Sequence, residues 1–276
     1  MKLIRLLKII VREYGTKRDK TKQNIWRESF YGKFGMNCLD CETYETTLQS
    51  VSKIMGIPSD QLLNCLVNMD YYTLYNDNVH CHEVPFREFL FEKVCDYFYV
   101  HNFEINCICW FHLSRTMHPE WFAKKGILSL REIEPLLHDD IEKLRQQIGN
   151  PPKYTYKWPT YGMINESCRQ GPFAMLIKDV AFHSDEMRNH DYLSIPEYIE
   201  DMGAEIADLF RKNSTSVIVK FKASPQYEAK EYLKVVIFYL YSIINKIELS
   251  VYCNTCYEAP LHRVPPEDII YIKKVS

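Results

Sequence analysis

The chain has 276 residues and a net charge of −2, so its length allows one large domain or a domain with an appended lobe, and its overall charge favours no class of partner. Hydrophobic residues make up 46% and charged residues 25%, as in an ordinary soluble globular protein. The 20 Tyr, 14 Phe and 4 Trp predict an interior or a groove built on ring packing.

Positive charge is concentrated near the N-terminus. Residues 1–33 carry ten Lys or Arg against three acidic residues. Such a stretch either forms a solvated basic arm or faces phosphates, a membrane surface or an acidic partner. Charges interrupt the apolar opening MKLIRLLKIIV, so no secretory signal is predicted, and the longest apolar stretch, 235–244, is too short to span a bilayer. We therefore expect a soluble, cytoplasmic protein with no membrane partner.

Ten cysteines in a cytoplasmic protein are expected to be free thiols rather than disulfides. The pairs Cys38/Cys41 and Cys253/Cys256 have C-x-x-C spacing and together have the ligand count of a structural zinc site. They lie near opposite ends of the chain, so the fold would have to join those ends. The alternative is that these thiols pack as small hydrophobic residues.

The first hundred residues are predicted to form a mostly helical lobe. Apolar residues recur at helical spacing in three stretches between residues 43 and 100, which predicts three helices joined by short polar links. A second domain is predicted over residues 101–276.

The second domain is predicted to be of mixed α and β structure. Alternating or continuous apolar patterns predict strands at 103–113, 173–180, 216–223, 247–253 and 268–275. Helical patterns occupy 118–126, 127–149, 194–212 and 230–245. The last stretch is predicted to be a buried helix because of its length, and its β-branched residues make a strand the alternative. Because the strands follow no regular βαβ rhythm, we predict an α+β fold with a mixed or antiparallel sheet.

In the first of these strands, the odd positions from Phe103 to Leu113 are apolar and predict a buried face. His112 is at an even position, so it is predicted to lie on the opposite face, together with Trp110 and Ser114. It is either a ligand-binding residue or a core histidine bonded to a backbone carbonyl. Glu248 has the same parity in IELSVYC, where the alternative is a solvated strand face. Lys220 and Lys222 are predicted to point outward from their strand.

The order of motifs resembles the ADP-ribosyltransferase fold, and within it the DarT-type bacterial toxins that modify nucleic-acid bases. FHLSRTMHPEWFAKKGILSL (111–130) resembles the family's opening strand, with its histidine, and the short helix that follows. IELSVYC (247–253) resembles the strand that bears the family's glutamate, and HRVPPEDIIYIKKV (262–275) resembles the family's C-terminal segment. The resemblance covers residues 105–276 and implies a split-sheet catalytic domain with NAD as co-substrate.

Carried over to this chain, the resemblance implies that His112 binds a ribose of NAD and that Ser114 and Arg115 lie in the cofactor site, with Arg115 on the pyrophosphate. Glu248 would be the catalytic carboxylate, with Glu258 as a rival. The tyrosines of the long loop 150–171, which is rich in Pro, Tyr and Trp, would stack on nicotinamide: Tyr154, Tyr156 or Tyr161.

The resulting expectation is a toxin-like enzyme that transfers ADP-ribose from NAD to a nucleic acid or a protein and releases nicotinamide. Loss of nicotinamide builds oxocarbenium-like charge on the ribose, which a neighbouring carboxylate stabilises. An antitoxin or immunity protein is a further expected partner. The alternative is a non-enzymatic, zinc-stapled module that binds nucleic acid or protein through the basic N-terminus and aromatic loop.

Overall fold

The computed structural model describes residues 37–81, 85–148, 171–258 and 262–275. This part of the chain contains ten α-helices and six strands, which confirms the α+β class. The basic N-terminal stretch and most of the long loop lie outside the described residues.

Four helices follow a short first strand. The first, second and fourth of these helices are the three that the sequence predicts, and the third was not predicted. The first helix begins at a capping box between Thr43 and Thr46 and ends at Gly56, whose φ of 67° is left-handed. The elements are β1 (Cys38–Leu39), α1 (Tyr44–Met55), α2 (Ser59–Asn68), α3 (Tyr71–Cys81) and α4 (Phe86–Phe98).

The remaining elements alternate irregularly. The helix predicted over 194–212 is in fact two helices, because the chain breaks at Gly203, whose φ of 108° is unfavourable for other residues. The strand predicted over 173–180 is only three residues long. The elements are β2 (Cys107–Thr116), α5 (Glu120–Lys125), α6 (Leu130–Gln146), β3 (Phe173–Met175), α7 (Ser184–Met187), α8 (Glu197–Glu200), α9 (Ala204–Asn213), β4 (Thr215–Ala223), α10 (Ala229–Asn245), β5 (Cys256–Glu258) and β6 (Ile269–Val275).

The six strands form one sheet in the order β5-β3-β2-β4-β6, with antiparallel pairing along this path. Strand β1 pairs with β2 in parallel, with Cys38 opposite Cys107. The predicted mixed or antiparallel sheet is therefore confirmed. The longest pairing, β2 with β4, places His112 opposite Val219.

The prediction that Lys220 points outward is wrong. Lys220 lies on β4, an interior strand of the sheet, and is only 5% exposed because the segment that follows β1 lies over its side chain. Its Nζ donates to Asp40 Oδ2 at 2.7 Å and to Glu42 Oε2 at 2.9 Å. The buried charge is thus compensated by two carboxylates from the segment that follows β1.

Glu42 is held by three donors at once. In addition to Lys220, Lys178 Nζ donates to Glu42 Oε1 at 3.2 Å and the Tyr271 hydroxyl donates to the same oxygen at 3.0 Å. Burial raises the pKa of Glu42, but the charges of Lys220 and Lys178 outweigh that effect and hold the pKa at about 2. This network fixes the segment after β1 against the middle of the sheet.

The strand predicted over 247–253 is wrong. Helix α10 ends at Lys246, and residues 247–250 continue as irregular chain before a 3₁₀ turn at Val251–Cys253. Ile247 packs on the core and Leu249 is buried, so the apolar alternation reflects packing against the helices rather than strand pairing. The sheet is extended instead by β5, which pairs with β3.

Two hydrophobic clusters stabilise the described chain. The larger joins the sheet, α10 and the helices of residues 44–98, and the smaller joins α6 to α8 and α9 around Phe210. The helices on one side of residue 100 and the sheet on the other bury one common core. The division of the chain into domains near residue 100 stays a prediction.

Candidate functional site

A cavity of about 540 Å³ lies between the two hydrophobic clusters, at the C-terminal half of β2. Phe111 and Phe122 of the larger cluster and Phe210 of the smaller one contribute to its wall. Its volume falls in the range of about 300–1,000 Å³ that is usual for small-molecule sites. The polar residues of the wall include His112, Ser114, Asn189, Tyr192, Glu197 and Glu258.

His112 is half-buried in this wall. Its Nδ1 lies 2.7 Å from the carbonyl oxygen of Phe173, and because a carbonyl only accepts, Nδ1 carries the proton. Burial lowers the pKa of His112, and the bond to Phe173 offsets this only in part. The imidazole is therefore neutral at pH 7, and its Nε2 has a lone pair for a ligand hydroxyl.

The even-numbered side of β2 is not a solvent face, because Ile108 and Trp110 on that side are fully buried. Both faces of this central strand are packed in its first half. The side becomes accessible only further along, where His112 and Ser114 are half-buried and line the cavity. His112 thus bonds a backbone carbonyl, as the core interpretation expects, and also faces a cavity.

Arg115 lies in the same wall, and its guanidinium connects β2 with α9, β4 and the segment before α8. Its Nε donates to Ser214 Oγ at 2.9 Å, one terminal nitrogen donates to Ser216 Oγ and Leu193 O, and the other donates to the carbonyl oxygens of Arg211 and Ser214. The five N–H groups are thus matched by five acceptor contacts. Direct contact with a pyrophosphate would require some of these bonds to be exchanged.

The acceptors of Arg115 are neutral hydroxyl and carbonyl oxygens, and no carboxylate lies in ion-pair contact with it within the described chain. The guanidinium charge therefore stays uncompensated at short range beside the cavity. Such a charge attracts an anionic ligand even without a direct hydrogen bond.

The two predicted carboxylates are both exposed, but only Glu258 lines the cavity. Glu258 lies on β5, directly opposite Phe173 in the β3–β5 register, and lines the cavity. Its backbone N–H donates to Gln226 Oε1 at 3.3 Å, and its carbonyl accepts from Gln226 Nε2. Glu248 is exposed in the irregular segment after α10 and is not part of the cavity wall.

Glu197 is a further carboxylate in the wall that no motif in the sequence indicates. It is the first residue of α8 and follows Pro196, which also lines the cavity. Asn189 and Tyr192 were missed in the same way. These residues belong to an irregular stretch before a short helix, and no local pattern in the sequence indicates that the stretch closes over β2.

The three loop tyrosines, Tyr154, Tyr156 and Tyr161, lie outside the described residues, so their role stays a prediction. The chain is described again from Gly171, and Gly171, Pro172 and Phe173 line the cavity. The C-terminal end of the long loop therefore leads directly into the cavity wall.

The four cysteines of the predicted zinc site are not gathered into one group. Cys38 is next to Cys107 and Cys109, Cys253 is next to the Ser242 hydroxyl, and Cys256 lines the cavity. Across residues 37–81, 85–148, 171–258 and 262–275, no group of three or more His, Cys, Asp or Glu residues is arranged to hold a metal ion.

Comparisons with protein-family models, with curated proteins and with solved structures gave no significant match. Among the helices of the described residues, none has the length and apolar character needed to cross a membrane.

Proposed function

We propose that the protein binds NAD in the cavity beside His112 and transfers its ADP-ribose to a nucleic acid or protein acceptor, releasing nicotinamide. The observation that carries this proposal is that His112 and Glu258, from different strands, line one cavity. Glu258 takes the place of Glu248 as the catalytic carboxylate, because Glu248 is not part of that wall.

The character of the cavity fits a dinucleotide. Its rings and aliphatic side chains, such as Phe122 and Leu137, offer surfaces for planar bases, while Ser114, Asn189 and Tyr192 offer groups for ribose hydroxyls. The uncompensated charge of Arg115 favours the pyrophosphate electrostatically. The pyrophosphate contact with Arg115 is thus proposed to be long-range in this conformation.

His112 is proposed to orient the ribose. With Nδ1–H bonded to Phe173 O, its neutral ring presents Nε2 as an acceptor for a ribose hydroxyl. Holding the sugar in one orientation lowers the entropic part of the barrier for the bond that breaks.

Glu258 is proposed to stabilise the positive charge that develops on the ribose as the bond to nicotinamide lengthens. This interaction is stronger in the transition state than with the neutral sugar, which is the condition for catalysis. The bonds from Gln226 to the backbone of Glu258 hold β5 in place, while the Glu258 side chain itself is exposed. Glu258 can also accept a proton from the acceptor nucleophile.

The resemblance to DarT-type toxins supports a nucleic-acid base as acceptor and an antitoxin or immunity protein as partner. A protein acceptor is the alternative within the same chemistry. A cytoplasmic location is part of the proposal and is consistent with either acceptor.

The direct test is incubation of the purified protein with NAD labelled in its adenylate phosphate, together with cell lysate. We expect nicotinamide release and label in material that nuclease degrades; label that only protease degrades would identify a protein acceptor. The absence of nicotinamide release, together with no rise in the melting temperature on adding NAD, would contradict the proposal. Salt-dependent binding of single-stranded nucleic acid without any effect of NAD would favour the non-enzymatic binding module instead.

A further inference from the structure

Cys38 and Cys107 form a pair of thiols that the proposed reaction does not use. They are directly opposite each other in the parallel β1–β2 register, and their sulfur atoms are 2.6 Å apart. A third thiol, Cys109, lies 3.9 Å from Cys38. The partner of Cys38 is therefore not Cys41 of its C-x-x-C motif but a cysteine on the neighbouring strand.

The backbone positions suit a covalent bond. Neighbouring strands are about 4.7–4.9 Å apart, which is inside the range of about 4.4–6.8 Å that disulfide-bonded residues span between Cα atoms. Both side chains already point to the same side of the sheet, so bond formation needs no movement of either strand.

The two sulfur atoms differ in reactivity. The Cys38 thiol donates a hydrogen bond to Cys107, which lowers the pKa of Cys107, and the charge of Lys222 adds to this effect against the opposing effect of burial. The same contacts with Cys107 and Cys109 raise the pKa of Cys38. Cys107 is also half-exposed, whereas Cys109 is fully buried. Cys107 is therefore the thiolate that an oxidant meets first.

We propose that Cys38 and Cys107 are an oxidation site that closes to a reversible disulfide under hydrogen peroxide. The Cys107 thiolate attacks one peroxide oxygen and becomes a sulfenic acid, with hydroxide as the leaving group. Cys38 then attacks the oxidised sulfur, and its proton and the sulfenic hydroxyl group leave together as water. In sum, two thiols lose two electrons and two protons, and one peroxide becomes two waters.

The bond would change how β1 is held. Strand β1 has only two residues, and Asp40 and Glu42 directly after it bind Lys220 of β4. Closing the bond would attach this segment covalently to β2, the strand that carries His112. The site is thus a modification that stiffens the attachment of β1, independent of whether NAD is the co-substrate.

The test uses the purified full chain, treated with hydrogen peroxide and then alkylated with iodoacetamide, with peptides mapped by mass spectrometry before and after reduction. We expect one reducible link between the peptides that contain Cys38 and Cys107, and a rise in melting temperature of about 5–15 °C for the oxidised protein. Full alkylation of both residues at a peroxide dose that oxidises the exposed Cys256 would overturn the proposal, as would a link from Cys107 to another cysteine.

A pair of variants separates the roles of the two thiols. In Cys38→Ser, Cys107 is expected to accumulate as sulfenic acid, which dimedone traps, and no link should form. Cys95→Ser, which alters a buried thiol on α4, should leave the link unchanged. Dimedone labelling of Cys107 at wild-type levels in Cys38→Ser would show that Cys38 does not resolve the sulfenic acid. The wild-type mapping decides the proposal by itself if Cys38→Ser does not fold.

Discussion

His112 and Phe173 are joined by a hydrogen bond of 2.7 Å from the imidazole Nδ1 to the backbone carbonyl. Phe173 is also the register partner of Glu258, so one residue of β3 stands between the histidine and the carboxylate. The bond fixes the tautomer of the ring, and both His112 and Glu258 line one cavity.

A half-buried, neutral His112 should make stability depend on pH. Because its pKa is lowered in the folded state, the unfolded chain binds the proton more readily, and the folded state loses stability as the pH falls below about 6.5. Urea unfolding of the wild type and of His112→Gln between pH 5 and 8 measures this. We expect the wild type to lose up to about 1 kcal/mol per pH unit relative to the variant below pH 6.5. A constant difference would contradict a neutral imidazole.

Arg115→Lys should destabilise the fold. An ammonium group cannot replace the five contacts of the guanidinium, and the carbonyl oxygens of Arg211 and Leu193 would lose their donor. We expect the free energy of unfolding in urea to fall by about 3 kcal/mol. The control is Arg131→Lys at an exposed position of α6, which should change it by less than about 0.5 kcal/mol. Equal changes in the free energy of unfolding for the two variants would show that the contacts of Arg115 do not stabilise the fold.

Gly126→Ala should disrupt the cavity wall. An added Cβ would lie 1.9 Å from Val264 O, the atom that accepts a hydrogen bond from Ile127 N, and Ile127 lines the cavity. Gly56→Ala is the matched control, because Gly56 also has positive φ but no atom within 4 Å of an added Cβ. We expect about 1 kcal/mol of destabilisation for Gly56→Ala and at least about 3 kcal/mol for Gly126→Ala in urea unfolding. Similar losses for both variants would contradict this close approach.

Glu42→Gln should remove much of the acid sensitivity of the fold. Since the pKa of Glu42 is about 2 in the folded state, its stabilisation is complete above its usual value and is lost as the pH falls from about 4.5 towards 2. We expect protonation of Glu42 to lower the free energy of unfolding of the wild type by about 3 kcal/mol between pH 4.5 and 2. The variant should not show this loss. Thermal unfolding across pH 2–6 checks this; parallel curves for both proteins would contradict the network around Lys220.

The elements with strong local periodicity could be predicted from the sequence. Helices α1, α2, α4 and α10 and strands β2, β4 and β6 all follow from apolar spacing over seven or more residues. Strands β1 and β5 could not be predicted, because two or three residues carry no period and their pairing partners are distant in the chain.

Long-range packing also explains the errors at single residues. The local pattern predicts a solvent-exposed Lys220, because Asp40 and Glu42, which bind it in the fold, are far away in the chain. Ile247 and Leu249 alternate as in a strand, yet they pack on the larger hydrophobic cluster without forming a strand. His112 lines the cavity, but which of the two predicted carboxylates also lines it depends on the segment that pairs with β3, and only the fold determines that.

The most direct measurement of the central claim is NAD turnover by Glu258→Gln compared with Glu248→Gln, with nicotinamide release as the readout. Both changes remove one carboxylate, but only Glu258 lines the cavity with His112. We predict that Glu258→Gln lowers turnover by about 100-fold or more while NAD still raises its melting temperature, and that Glu248→Gln retains wild-type turnover. Loss of turnover in Glu248→Gln with an active Glu258→Gln would contradict the account.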